Sequence, residues 1–316
     1  NPCTSLAPEE EGMIMKVLVS DSLAEDGVKR LQSGADVDVI TNLSPEELIQ
    51  KIPDYDALVI RSGTKVTADV INAAKRLKVI GRAGVGIDNV DVEAATKKGI
   101  IVLNTPGGNT ISAAEHTIAM MLALARNIPQ ANSALHQGEW NRKKYTGVEF
   151  FNKTLGVVGL GRVGAEVATR MKSFGMRILA YDPFVTEEKA QQMGLTLANL
   201  ETVLREGDFI TVHTPLTNET RNLIDDDEFK IMKDGVRIVN CARGGIINEA
   251  ALAKAVAEGK VAGAAVDVFT KEPPTGNPLL GQERIITTPH LGASTAEAQV
   301  NVALAVADQI LAIAKG

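Results

Sequence analysis

Four histidines are spread along the 316 residues, and two of them close apolar, strand-like runs. His213 ends ITVHTP at 210–215, and His290 lies in TPHLGA at 288–293, between the last such run and a helical stretch. Imidazole is the side chain whose ordinary pKa lets it carry a proton near neutrality. In open parallel sheets ligands gather beyond the carboxyl ends of strands, which sets these two ahead of His116, inside an apolar helix-period run, and His136, in a polar stretch. Glu272, in KEPP at 271–274, follows the run 263–269 and offers a carboxylate that would fix the tautomer of a neighbouring imidazole. Arg243, in NCARGG at 240–245, leaves another such run directly into two glycines, where a planar guanidinium could clamp a carboxylate through two hydrogen bonds. An imidazole, its carboxylate and a fixed cation are what proton transfer at a hydroxyl or carbonyl requires. Each residue also has a plainer reading at this point: His290 as a core or helix-capping histidine, Glu272 as a solvated turn residue, Arg243 as half of an interdomain salt bridge.

The acceptor for the accompanying hydride is written at 154–182. TLGVVGLGRVG at 154–164 runs a short apolar strand into G-x-G-x-x-G, an amphipathic stretch follows, and ILAYD at 178–182 places an acid eighteen residues after the last glycine. Strand, glycine turn, helix and acid together describe a βαβ dinucleotide site. Gly159 permits the tight turn, Gly161 lets the backbone approach a pyrophosphate, and Gly164 lets helix and strand pack closely. Asp182 would accept the ribose hydroxyls and repel a 2′-phosphate, which points to NAD rather than NADP.

The elements that must hold these groups fall into two sets of apolar, β-branched runs alternating with helix-period segments, the pattern of parallel sheets covered by helices. The first set is 15–20, 37–41, 57–61, 79–83 and 100–104; the second is 155–160, 177–181, 209–213, 237–241, 263–266 and 285–288. Residues 112–126 are apolar nearly all round and read as a buried helix. Residues 293–315 are helical with no strand partner left in their own domain, so this helix is expected to return to the first. The expected division is a substrate domain of 13–106 and 294–316, a nucleotide domain of 107–293, and a leader, 1–12, outside the fold. Residues 127–152, with Trp140, Arg142, Lys143 and Lys144, read as a polar arm reaching another subunit or a substrate mouth.

Composition excludes several classes of function. A net charge of −6 leaves no basic field for nucleic acid or an anionic membrane. Hydrophobic content of 45% and charged content of 23% are those of a globular protein. No apolar run reads as a membrane span of about eighteen residues, and no secretory signal is expected. The two cysteines, Cys3 and Cys241, stand far apart in unlike contexts, which favours a reducing compartment, the cytoplasm by default. No metal is expected.

VGLGRVG at 158–164, NCARGG at 240–245, AAVDVF at 264–269 with EPP at 272–274, and PHLGAS at 289–294 stand in a fixed order. By these blocks the chain resembles the D-isomer-specific 2-hydroxyacid dehydrogenases over nearly all of 15–315. The resemblance implies two doubly wound parallel-sheet α/β domains, a Rossmann nucleotide domain inserted in a discontinuous flavodoxin-like substrate domain. It makes Arg243 the substrate anchor, His290 the acid/base and Glu272 its orienting partner. Its cofactor positions fall on Gly159, Gly161, Arg162, Val163 and Gly164, on Asp182, on His213, Thr214 and Pro215, on Cys241, Ala242 and Arg243, on Asp267, which would hold the nicotinamide carboxamide, and on His290, Gly292 and Ala293. Its substrate positions fall on Arg61, Ser62, Gly84, Val85, Gly86, Asn109, Arg142, Arg243 and His290, with Asn109 and Ser112 at a hinge. The implied reaction is NAD-dependent oxidation of D-3-phosphoglycerate to 3-phosphohydroxypyruvate, the entry to serine synthesis, by a homodimer or homotetramer. A glyoxylate/hydroxypyruvate reductase or other D-2-hydroxyacid dehydrogenase is the alternative within the class, and an NAD-sensing corepressor-like scaffold the alternative outside it.

Overall fold

The computed structural model describes residues 14–315, and the expected leader at 1–12 lies outside the described residues. The chain divides into two compact units, Asn1–Asn109 with Thr295–Gly316, and Thr110–Ser294.

The first unit alternates β1 (Lys16–Val19), α1 (Glu25–Gln32), β2 (Asp36–Val39), α2 (Pro45–Lys51), β3 (Ala57–Ile60), α3 (Ala68–Ala73), β4 (Val79–Arg82), α4 (Val92–Lys97) and β5 (Ile101–Asn104). Its strands pair in parallel in the order β2-β1-β3-β4-β5, the flavodoxin-like order. Alternation along each strand sends side chains to opposite faces. Leu18, Leu58 and Ile80 join the residues of α2 to α4, while Val17, Val59 and Val79 join a second cluster. That second cluster is completed from far along the chain by Val302, Val306, Ala307 and Ile310. They lie on α12 (Ala296–Ala314), capped by the Thr295 hydroxyl, which accepts the Ala298 N–H at 3.1 Å. Gln309 donates to the Asn104 carbonyl at 3.1 Å, and Arg30 pairs with Asp308 at 2.6 Å. The sequence pattern predicts no run fit to span a membrane, whereas α12 has the length and apolarity to do so. One face of it, with Val302, Ala303, Val306, Ala307, Ile310 and Leu311, is buried in the first unit.

The second unit opens with α5 (Thr110–Arg126) and α6 (Ile128–His136), and continues through β6 (Thr154–Val158), α7 (Arg162–Lys172), β7 (Arg177–Tyr181), α8 (Glu187–Gln192), β8 (Thr196–Leu197), α9 (Leu200–Glu206), β9 (Phe209–Val212), α10 (Asp226–Ile231), β10 (Val236–Asn240), α11 (Glu249–Ala257), β11 (Val261–Val266) and β12 (Ile285–Thr287). The parallel order β12-β11-β10-β9-β6-β7-β8 is the Rossmann order with one added strand, and it reverses direction between β6 and β9. Leu155, Val157, Phe209 and Val239 face Met121 and Leu124 of α5 and Val167 and Met171 of α7, while Val158, Ile210 and Ile238 face the opposite cluster.

Two features escaped the sequence pattern. The strand β8 has two residues, too few for periodicity to register. The segment 127–152 carries α6 at its start and ends on buried Phe150, whose ring centroid lies 5.0 Å from that of Phe209. Ala134 is the one residue that α6 buries, while Ile128 and Leu135 are exposed, so its helical face had no apolar stripe to betray it.

If α12 completes the first unit's core, Ile310→Ala should lower stability by about 2–5 kcal/mol in equilibrium urea unfolding, the range for truncating a fully buried aliphatic side chain. A change within about 0.5 kcal/mol, typical of a surface site, would exclude α12 from that core.

Candidate active site

The carboxyl ends of β6, β7, β9, β10, β11 and β12 carry the residues singled out in the second unit. After β6, Gly159 takes φ +97°, a conformation that L side chains rarely adopt, and a Cβ there would meet the His213 carbonyl carbon at 2.9 Å. A Cβ on Gly164 would lie 2.0 Å from the Gly159 carbonyl oxygen, so α7 sits directly on the turn. Beside Gly161 there is open space, and α7 starts there with first-turn N–H groups that have no intrahelical acceptor. At the end of β7 the Asp182 carboxylate accepts the Leu160 N–H at 2.7 Å and the Phe184 N–H at 2.9 Å. Both oxygens are thereby fixed, Oδ2 against the glycine loop and Oδ1 against the backbone beyond β7, and each keeps a lone pair for a hydroxyl. The buried Thr214 Oγ1 has no hydrogen-bond partner among the described residues, as suits a group that a bound molecule satisfies. Turn, helix terminus, carboxylate and orphaned hydroxyl fit a dinucleotide.

Burial separates the two strand-end histidines. His213 Nε2 shares a hydrogen bond with Thr211 Oγ1 at 2.9 Å, and burial pushes its pKa down to about 4, so it is neutral at physiological pH. His290 is exposed, and its Nδ1 lies 2.8 Å from Glu272 Oε2. A carboxylate at Nδ1 selects the tautomer with the proton there and leaves the Nε2 lone pair free to act as a base. Glu272 is held in turn by the Phe269 N–H, which donates to Oε1 at 3.1 Å.

His290 has φ +55°, unusual for a residue with a side chain, and its surroundings explain how the loop holds it. Its N–H donates to the carbonyls of Asp267 at 2.9 Å and Thr288 at 3.0 Å. The Asp267 side chain, fully buried, accepts the Thr288 hydroxyl at 2.6 Å and the Leu291 N–H at 2.8 Å on Oδ1, and the Gly292 N–H at 2.9 Å on Oδ2. His116 Nε2 stands 3.2 Å from Oδ1 and 3.3 Å from Thr288 Oγ1. Burial raises the Asp267 carboxyl, but the hydrogen bonds from His116, Thr288 and Leu291 outweigh it and hold the group below the usual carboxylate range. Ser112 of α5 donates to the Gly292 carbonyl at 2.7 Å. The resemblance assigns Asp267 to a cofactor amide, and the strand-end argument ranks His116 below His213 and His290; in the structure the side chains of both also fasten the His290 loop. The one signal for His116 is a titratable ring in an otherwise apolar helix.

Arg243 follows β10, and its Nη1 donates to the Ala242 carbonyl at 2.7 Å. Buried Asn240 shapes that exit, donating to the Arg243 carbonyl at 2.9 Å and accepting the Ala242 N–H at 3.0 Å. Cys241 is buried, and burial followed by the Asp267 charge pushes its thiol up, so it is not a nucleophile.

The remaining candidates belong to the first unit or to the exposed stretch after α6. Arg61 and Ser62 follow β3 in a loop where Asp21 accepts the N–H groups of Arg61 at 2.6 Å and Thr64 at 3.1 Å, and Asn89 donates to the Arg61 carbonyl at 2.7 Å. Gly84, Val85 and Gly86 follow the adjacent strand β4, with the Val85 carbonyl held by Asn104 at 2.6 Å. Asn109 is the last residue before the second unit, and Arg142 is exposed.

The model of the D-isomer specific 2-hydroxyacid dehydrogenase NAD-binding domain matches residues 118–292, which include both the dinucleotide turn and the His290 loop. The chain belongs to this family. Its second unit is the family's NAD-binding domain, and NAD is its cofactor. It is 56% identical over 304 residues to D-3-phosphoglycerate dehydrogenase of Archaeoglobus fulgidus, a match covering 96% of this chain and 58% of that protein. The chain thus spans little more than half the length of the curated relatives it matches. The crystal structure of a Thermus thermophilus protein superposes with a TM-score of 0.88 at 34% identity, over 96% of this chain and 97% of that one. D-lactate dehydrogenase of Aquifex aeolicus, complexed with NAD and lactic acid, superposes with a TM-score of 0.85 at 28% identity, over 95% and 96%.

Asp182→Ala removes the one fixed carboxylate beside the dinucleotide turn. NAD affinity measured by fluorescence titration should fall, and the preference over NADP should narrow, because ribose hydrogen bonds and 2′-phosphate repulsion disappear together. Unchanged affinities for both cofactors would place the ribose elsewhere.

Proposed function

We propose that the chain oxidises D-3-phosphoglycerate to 3-phosphohydroxypyruvate, the entry to serine synthesis, in a reducing, cytoplasmic setting. The observation that carries this reading is the 2.8 Å pairing of His290 Nδ1 with Glu272 Oε2, in a chain with relatives named for this substrate. NAD, when bound, supplies the acceptor for the C2 hydride. His290 Nε2 takes the C2 hydroxyl proton, and the Glu272 carboxylate stabilises the imidazolium that results. Arg243 holds the substrate carboxylate and the developing carbonyl oxygen. Gly159, Gly161, Arg162, Val163 and Gly164 cradle the pyrophosphate, and Thr214 and Cys241 to Arg243 line the cofactor. Arg61 and Ser62, with Gly84 to Gly86, are assigned to the substrate's anionic groups.

The proposed assembly is a two-fold homodimer. On the second unit, Ile128 and Leu135 of α6 and Trp140 just after it are large apolar side chains left exposed. Burying such a patch against its own copy satisfies both surfaces at once. Arg142, on the same exposed stretch, would then meet the substrate phosphate in the partner's site.

Two measurements test the reading. His290→Ala should lower turnover of 3-phosphoglycerate by about a hundredfold or more with NAD binding intact, as for loss of a general base. Glu272→Gln should move the ascending limb of the pH–rate profile to lower pH, because a neutral partner no longer favours the imidazolium. A superimposable profile would dissociate Glu272 from His290, and no turnover in the parent across a panel of D-2-hydroxy acids would leave the scaffold alternative.

The phosphate site has its own signature. Arg142→Ala should raise the KM for phosphoglycerate about tenfold or more while leaving that for D-lactate nearly unchanged. Equal losses on both substrates, or a fully active monomer by sedimentation, would remove Arg142 and the dimer from the site.

A further inference from the structure

Glu249 is the first residue of α11, yet its carboxylate serves a different loop. Oε1 accepts the Thr270 N–H at 2.6 Å and the Thr270 hydroxyl at 2.9 Å, while Oε2 accepts the Asn277 side-chain amide at 2.6 Å. Thr270 and Asn277 bracket the segment that carries Glu272. Asn277 extends the network by accepting the Leu279 N–H at 3.0 Å. Residues 270–273 are exposed, so few packed atoms fix their path and the hydrogen bonds at either end must do so.

The inner side of this loop is where the site's parts meet. The exit from β10 passes so close that a Cβ on Gly244 would lie 1.9 Å from the Phe269 carbonyl carbon. Phe269 in turn donates its N–H to Glu272 at 3.1 Å. The backbone at 269–270 is therefore wedged between the loop of Arg243 on one side and the Glu249 carboxylate on the other. A shift there moves Glu272 relative to His290, and a carboxylate drawn back by more than about half an ångström leaves hydrogen-bonding range of Nδ1.

Building on the function proposed above, we propose that Glu249 is a positioning residue for the reaction. It contributes no atom to substrate or cofactor. Its charge-assisted hydrogen bonds set the 270–277 loop so that Glu272 Oε2 stands opposite His290 Nδ1, and its effect on the chemistry passes entirely through Glu272.

The test compares Glu249→Ala, Glu249→Gln, Glu272→Gln and the double variant Glu249→Ala/Glu272→Gln. Glu249→Ala should lower kcat about ten- to a hundredfold with the NAD dissociation constant unchanged, and should displace the pH–rate profile in the same direction as Glu272→Gln. Glu249→Gln, whose amide oxygen still accepts from Thr270, should recover most of the activity. The double variant should be no slower than Glu272→Gln alone, because both changes break one interaction. A second readout does not depend on turnover. The downfield Nδ1–H proton resonance of His290, identified by its loss in His290→Gln, should weaken or move in Glu249→Ala and not in Glu249→Gln. Should Glu249→Ala fail to fold, Asn277→Ala removes one of the three hydrogen bonds from the loop side and should act in the same sense with a smaller effect. A pH–rate profile and resonance identical to the parent's, or losses that multiply in the double variant, would overturn the proposal. A parent inactive on every 2-hydroxy acid would instead overturn the proposed function, and the resonance would still decide the role of Glu249.

Discussion

A carboxylate sealed from water must be surrounded by donors, and Asp267 finds most of its donors in the loop that carries His290. The N–H groups of Leu291 and Gly292, the Thr288 hydroxyl and the His116 ring converge on it, while its own carbonyl takes the His290 N–H. An unsatisfied charge at that depth would cost several kcal/mol. The left-handed backbone of His290 costs roughly 1–3 kcal/mol by itself. The first penalty is avoided only if the second is accepted, so the buried charge and the unusual loop stabilise one another. His290 is thereby delivered from the end of β12 at one angle, with its Nδ1 toward Glu272.

The same device recurs at other strand ends. Asn240 uses both ends of its amide to shape the turn into Arg243, and Asp182 uses one carboxylate oxygen to hold the glycine loop against β7 and the other to hold the backbone just beyond β7. Short polar side chains at the end of a parallel strand bind the backbone just beyond it, where no ladder remains to do so. Burial then separates the histidines: desolvation keeps His213 neutral beside the dinucleotide turn, while His290 stands exposed with Nδ1 against Glu272. The carboxyl ends of one sheet therefore hold one buried and one exposed imidazole.

All strands of both sheets but the two-residue β8 were legible in the sequence, because buried parallel strands are continuous apolar runs and the connecting helices show a 3.6-residue period. The return of α12 to the first unit was legible as an orphan helix, and the dinucleotide turn as glycines in strand-to-helix context. The helix α6 was not, since amphipathicity is the signal and α6 has little. Arg243, Glu272 and His290 each had a plainer reading until the ordered blocks were taken together. The partners that hold them were hidden for a different reason. Asp267, Asn240 and His116 lie at positions where a polar residue looks like an interruption of an apolar pattern, and only spatial proximity between residues as far apart as 116 and 288 shows what the interruption is for.

The first unit is assembled from both sides of an insertion, and this bears on the order of events during synthesis. Val17, Val59 and Val79 emerge from the ribosome early, but the helix that covers them arrives only after all of Thr110–Ser294 has been made. Until then that face of the five-stranded sheet is covered by α1 alone, through Leu31, and exposed apolar strands are an aggregation hazard. The inserted unit, by contrast, contains all of its own strands and can close as soon as β12 is out. Translation thus imposes a sequence in which the later-encoded unit folds first and the earlier one waits, held open while the whole insertion is elongated. At synthesis rates of roughly 5–20 residues per second, that interval lasts about ten seconds or more.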